Sequence, residues 1–216
     1  MYLLDGELAM IPARVAQRAS RIGYRVKSYI TWNKDSTPEH VKSGVTRQAE
    51  VILHLTPGET PYFDKSFWPS RDARLGGSNA PYESAGKITD VWHLPTANGK
   101  NGHGAEFAVL LAGRCISLTS KPGDLVLDPF VGSGTSALAA MELGRRCVGF
   151  DTSQTYLTTA KRRVKAVALR VGAQGPVAEL PVRGVNGTGP DGWKRLNGSH
   201  SADMLPIEMP TSTPKR

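Results

Sequence analysis

The chain has 216 residues, 39% hydrophobic and 21% charged, enough for one sizeable core with a tail. No apolar run approaches the roughly 20 residues that span a bilayer, and MYLLDGELAM carries an acid where a secretory leader would be basic, so the sequence reads as soluble and cytosolic. Lys and Arg outnumber Asp and Glu 27 to 19, and residues 14–47 hold eight of the basic residues against only Asp35 and Glu39, a clustering that attracts polyphosphate or else solubilises one face.

Leu8, Ile11, Val15, Ala19 and Ile22 recur at helical spacing, Pro12 suits a first turn and Gly23 a stop, which predicts a helix over 8–22. Tyr24, Val26, Ser28, Ile30 and Trp32 then alternate with Arg25, Lys27, Tyr29, Thr31 and Asn33, the period of a strand with one polar face. EVILHLT at 50–56 predicts a second strand, and the polar stretch between the two is too long for a tight hairpin. Periodicity fails over 57–102, where Gly, Pro, Asn and isolated aromatics predict an irregular surface segment. It returns in AEFAVLLAGRCISL, 105–118, where Phe107, Leu110, Leu111, Cys115 and Leu118 share one helical face. Next come strand LVLDPF, a helix from 133 to 143 stopped by Gly144, strand CVGFD and a helix over 153–171. Two strands joined by a helix make a right-handed parallel crossover, so the predicted fold class is α/β with a mostly parallel sheet. Seven Gly and six Pro fall within 172–216, predicting a disordered tail in which Trp193 and MLPIEMP are candidates for docking on a partner. Cys115 and Cys147 sit among apolar neighbours and are expected to be buried, reduced thiols; no metal site is expected.

Gly132, Gly134 and Ala137 have the spacing G-x-G-x-x-[GA], and Asp151 closes the next strand 19 residues after Gly132. Glycines let a backbone approach a ligand at a helix N-terminus, and a strand-end carboxylate accepts from ribose hydroxyls; the bland reading is a tight turn with no ligand. Asp128 then separates two cofactors. A pyrophosphate at this turn would face that carboxylate, and like charges at short range repel. S-adenosylmethionine brings an ammonium, a sulfonium and a ribose instead, and suits an acidic turn. Phe130 is placed to pack on such a ligand or to join the core.

These residues resemble the amino-group DNA methyltransferases, which modify cytosine at N4 or adenine at N6. LDPFVGSGTSALAAMELGRRCVGFDTSQTYLTTAKRR is similar to the family's cofactor motif, and HGAEFAVLLAGRCISLTSKPGD to the helix before it, with His103 and Phe107 at motif positions but Ala108 where a proline commonly stands. Trp32, Lys34, Pro38, Glu39, Arg47 and Glu50 resemble the region preceding target recognition. The resemblance covers 8–171 and implies a Rossmann-like S-adenosylmethionine-dependent methyltransferase fold with an incomplete sheet. The methyltransferase domain is then 1–171, with 57–102 belonging to or bordering DNA recognition, 103–171 holding the cofactor and 172–216 a tail. It implies Asp128, Phe130, Gly132, Ser133, Gly134 and Thr135 around the donor's methionine end, Asp151 on the ribose, Phe107 beside the cofactor, and double-stranded DNA as substrate in a bacterial or phage-infected cytosol. Arg25, Lys27, Lys34 and Arg47 are the candidates for phosphate contact.

The family also uses a short polar-Pro-Pro-aromatic loop that accepts hydrogen bonds from the target amine and stacks the extruded base. No Pro-Pro pair occurs in this sequence; NAPY, with Asn79, Pro81 and Tyr82, is only a weak catalytic candidate, and its ordinary reading is a plain loop turn. In permuted members that loop precedes the recognition segment, so the expectation is a C-terminal methyltransferase half whose open sheet edge receives an N-terminal half. Two alternatives stand beside it: a non-catalytic DNA-binding or regulatory remnant, and a dinucleotide-binding oxidoreductase, which Asp128 disfavours.

Overall fold

The computed structural model describes residues 3–4, 7–34, 45–46, 48–72, 74–79, 82–84, 86–97, 107–171 and 207–208. Its elements are β1 (Leu3–Leu4), β2 (Glu7–Leu8), α1 (Ile11–Arg21), β3 (Arg25–Asn33), β4 (Ala49–Thr56), β5 (Val91–His93), α2 (Val109–Thr119), β6 (Leu125–Asp128), α3 (Thr135–Glu142), β7 (Arg146–Gly149), α4 (Gln154–Val171) and β8 (Ile207–Glu208).

Helix α1 starts with Pro12 in its first turn, where a missing N–H leaves nothing unsatisfied, and Arg18 and Arg21 complement the dipole of its last turn. Its apolar stripe is only partly used. Ala19 is buried, whereas Ile11, Val15 and Ile22 are 38%, 46% and 68% exposed. The periodicity predicted the helix, and the described residues do not cover the face it implied.

Strands β3 and β4 pair antiparallel, with Ile30 opposite Ile52 and Trp32 opposite Glu50, and a bulge interrupts the register between Val26 and Ser28. On its other edge β3 pairs in parallel with β5, setting Trp32 beside Trp92. The second sheet is built from β6 and β7, parallel because α3 crosses over between them, with β8 added antiparallel to β7. The fold is therefore α/β with mixed sheets, both pairing directions occurring in each three-stranded one. The docking expected of MLPIEMP differs in one respect: Ile207–Glu208 adds to the chain's own sheet rather than to a partner. The rest of the predicted tail lies outside the described residues.

Helix α2 joins two cores. Ala112 and Ile116 pack with Val131, Leu138, Cys147, Leu157 and Val164 of the second sheet and its helices. Leu111 and Leu118 pack with Ile30, Trp32, Phe67, Trp68, Trp92 and Leu94, which ties the irregular segment to β3. Among the described residues β6 pairs only with β7, and β4 only with β3. Leu125 and Leu127 of β6 are correspondingly exposed. No helix of the described residues is long and apolar enough to cross a membrane.

Candidate cofactor and nucleic-acid sites

The glycine turn is built from the end of β6. Pro129 has no N–H to extend the strand, and the Phe130 amide donates to Asp128 Oδ1 at 2.9 Å, so the chain leaves the sheet there. The Val131 amide donates to the Phe150 carbonyl at 2.8 Å and the Gly134 amide to the Val131 carbonyl at 2.9 Å. Between them the Gly132 amide donates to Asp151 Oδ2 at 2.9 Å, while Ser153 donates to Oδ1 of the same carboxylate at 2.8 Å. Gly132 and Gly134 have φ of 52° and 92°, a region that side chains disfavour. At Gly134 a Cβ would also lie 2.8 Å from the Ala160 Cβ, so the glycine lets α4 approach the turn.

This accounting changes what the turn can hold. The Val131, Gly132 and Gly134 amides, which a phosphate would need, are already used inside the protein. The turn presents two strand-end carboxylates. Each Asp151 oxygen accepts one backbone N–H and keeps a further lone pair, and the second oxygen of Asp128 has no hydrogen bond among the described residues. Such a surface takes a ligand that brings its own donors or positive charge.

The structure sorts the predicted cofactor residues into four groups. Phe107 and Asp128 line one cleft of about 440 Å³ with Leu111, Cys115, Leu127 and Ser136, within the usual range for a small-molecule site. Gly132 and Asp151 meet through their hydrogen bond at the turn. Phe130 is 86% exposed, which removes the core reading for it and leaves its ring open to a ligand or partner. Ser133 and Thr135, expected around the ligand's methionine end, are buried, and Ser133 Oγ and its carbonyl accept from Arg163 Nη1 at 2.7 and 2.9 Å, which binds the turn to α4.

The basic candidates are less free than their sequence suggests. Arg25 pairs with Glu59 at 2.7 Å, Lys27 donates to the Glu59 carbonyl at 2.6 Å, and Lys34 pairs with Glu50 at 2.6 Å. The Arg25–Glu59 pair is exposed and contributes little stability, whereas the Lys34 side chain is only 18% exposed. Arg47, Pro81 and His103 lie outside the described residues.

Asn79 and Tyr82 belong to a different cluster from the glycine turn. Asn79 Nδ2 donates to the His93 carbonyl at 2.6 Å, and Tyr82 stacks on the His93 ring with centroids 5.4 Å apart. Beneath them sits a group that the sequence reading missed. Arg114 of α2 is fully buried and donates to the Gly76 and Gly77 carbonyls at 2.6 and 2.7 Å and to both Glu83 oxygens at 2.8 and 2.9 Å. Its guanidinium lies over the rings of Trp68 and Trp92, 4.6 and 5.0 Å from their centroids. Burial pushes the Cys115 thiol up to about 11 and the Cys147 thiol up to about 12, the nearby Asp128 charge adding to the latter. Neither is a nucleophile at neutral pH.

Comparison with known proteins identifies the family to which this fold belongs. The N6/N4 DNA methylase family model matches residues 3–162. The type II methyltransferase M.SmaI of Serratia marcescens is 34% identical over 159 residues, 73% of this chain and 52% of that protein. M.Cfr9I of Citrobacter freundii, also a type II methyltransferase, is 34% identical over 74% of this chain and 51% of its own length. The chain thus spans about half the length of the curated relatives it matches. Among solved structures, the putative DNA modification methylase TTHA0409 of Thermus thermophilus, complexed with S-adenosyl-L-methionine, is 29% identical, with a TM-score of 0.53, covering 72% of this chain and 59% of that one. The cytosine-N4-specific PvuII DNA methyltransferase is 17% identical with a TM-score of 0.59, covering 79% and 66%, a likeness of fold.

Proposed function

This chain belongs to the N6/N4 DNA methylase family, and from that premise we propose that it carries the S-adenosyl-L-methionine site and part of the DNA surface of an amino-group DNA methyltransferase of the restriction-modification type. The observation that carries the cofactor reading is the turn itself, acidic and with its Val131, Gly132 and Gly134 amides already donated. Asp151 holds the ribose hydroxyls on its remaining lone pairs. Asp128 faces the ligand's positive end, and Phe107 supplies an apolar wall. Bound there, S-adenosyl-L-methionine would supply an electrophilic methyl group to a cytosine N4 or adenine N6 amine. A dinucleotide would set its pyrophosphate against Asp128 and find few amides to receive it.

Double-stranded DNA is the proposed substrate, met in the cytosol, with the Arg25, Lys27 and Lys34 face exchanging its acidic partners for phosphates. The amine-accepting Pro-Pro-aromatic loop comes from polypeptide outside these 216 residues, continuous with them or separate. Three features support that complement: relatives about twice as long, unpaired β6 and β4 edges among the described residues, and the exposed apolar stripe of α1. The test is incorporation of labelled methyl groups into duplex DNA, by this chain alone and with a family N-terminal half fused ahead of it or added. The reading expects transfer only with the added half. Transfer by this chain alone, abolished by Asn79→Ala, would make NAPY the catalytic loop; no transfer in either arm would leave a DNA-binding remnant.

A further inference from the structure

Helix α1 rests on β3 and β4 through its small residues, with Ala19 buried and Pro12, Ala13 and Ala16 half-buried. The aliphatic residues Ile11 and Val15 and the capping Ile22 lie on the flank of that contact and stay in water. At about 100° per residue the three fall within about 40° of one another, a stripe about 16 Å long, and Arg14, Arg18 and Arg21 fall within about 60° directly beside it. All three arginines are exposed, and among the described residues none of their side chains has a hydrogen bond or an ion-pair partner.

Neither stripe suits water. Aliphatic side chains one above the other form a continuous apolar strip rather than scattered exposure. The helix dipole favours Arg18 and Arg21 in the last turn but not Arg14, which lies four residues before Arg18, where like charges repel, and α1 holds no Asp or Glu to relieve them. A fitting partner therefore brings both apolar surface and negative charge. DNA phosphates would meet the arginines and leave the aliphatics uncovered. A second copy fails on charge: antiparallel pairing of two α1 helices through the aliphatic strip sets arginines against arginines, and parallel pairing leaves them without anions. A helix with aliphatic residues on one stripe and carboxylates along its border satisfies both halves, packing about 8–10 Å from α1. The relatives have chain enough to supply one, since the matched region is only 52% and 51% of their length.

We propose that the Ile11, Val15 and Ile22 flank of α1 docks an acid-bordered amphipathic helix of the complementing polypeptide, whose carboxylates pair with Arg14, Arg18 and Arg21. The proposal rests on the reading above that a further polypeptide completes the domain. The probe is the half of M.SmaI that this chain does not match, co-expressed with the full 216-residue chain, and sedimentation of the purified pair across a dilution series gives its dissociation constant. Val15→Asp is expected to weaken the pair at least about tenfold, the loss typical of an apolar anchor at an interface. Reversing the arginines with Arg14→Glu/Arg18→Glu/Arg21→Glu weakens it by about three- to a hundredfold and inverts the effect of salt, which loosens the wild-type pair and tightens the variant's. Melting temperatures of the uncomplexed variants confirm an intact fold, since all four side chains face solvent. A pair that survives both changes overturns the docking site and leaves the complement standing. Weakening by Val15→Asp alone overturns the acidic partner. No association of the wild-type chain overturns both the docking site and the complement. Binding of this chain alone to phosphatidylserine vesicles, lost in both variants, assigns the surface to a membrane and likewise overturns the proposal.

Discussion

The buried Arg114–Glu83 pair gives the sharpest handle on how the irregular segment is held. Glu83→Ala removes the acceptor for two guanidinium nitrogens and for the Asn79 and His93 amides, leaving a cation with no exposed surface facing only the Gly76 and Gly77 carbonyls and two indole rings. Breaking a buried pair from one side costs about 3–5 kcal/mol, because the surviving charge is uncompensated. At roughly 2–4 °C per kcal/mol for a protein of this size, the melting temperature should fall by about 6–20 °C. Arg114→Met is the informative partner, since it removes the charge while roughly keeping the volume between Trp68 and Trp92. The Glu83→Ala/Arg114→Met double variant should be more stable than the sum of the single losses implies, by at least about 2 kcal/mol. Thermal and denaturant unfolding of the four proteins measures this. Additivity within about 0.5 kcal/mol, or a Glu83→Ala melting temperature within about 2 °C of wild type, would refute the claim that this pair anchors the segment.

Three further outcomes follow from the site. Gly134→Ala should destabilise the protein by about 2–5 kcal/mol, a left-handed φ plus the collision with Ala160, whereas Gly123→Ala, with φ of 88° and nothing within 4 Å of its Cβ, should lose only about 1–2 kcal/mol; urea titrations of both separate strain from packing. Asp151→Asn, which keeps one of the two acceptors used by the Gly132 and Ser153 amides and sets an NH2 donor against the other, should weaken S-adenosyl-L-methionine binding by about 1.5–3 kcal/mol in calorimetry, and an unchanged affinity would make the acid purely structural. Cys147, raised to about 12, is roughly one part in ten thousand thiolate at pH 8, so a thiol reagent should label it only on unfolding; rapid labelling of the native chain would contradict its burial.

Local patterns carried most of the fold. The 3.6-residue spacing of Ile11, Val15 and Ala19 and the alternation around Ile30 and Trp32 reflect which atoms leave water, and α1 and β3 form where those patterns lie. The strand, glycines, helix and acid from 128 to 151 were equally legible, because each is a local conformational requirement. What the pattern could not give was partnership. That Lys34 meets Glu50 depends on the register of β3 against β4, and that Arg25 meets Glu59 depends on the turn that follows. That Ser133 meets Arg163 was likewise out of reach, because the arginine lies 30 residues away on α4. A signal for Arg114 did exist: a single guanidinium within VLLAGRCISLT has to find an acceptor. Its acceptor lies 31 residues earlier in a segment with no periodicity, so the pair was invisible until the chain was folded.

The central claim is that an acidic glycine turn receives S-adenosyl-L-methionine rather than a dinucleotide. Titration calorimetry of the 216-residue chain with S-adenosyl-L-methionine, its demethylated product and NAD tests it directly. The account predicts saturable binding of the first two, weakened by Asp151→Asn, and none for NAD. Saturable NAD binding with no binding of the methyl donor would contradict it.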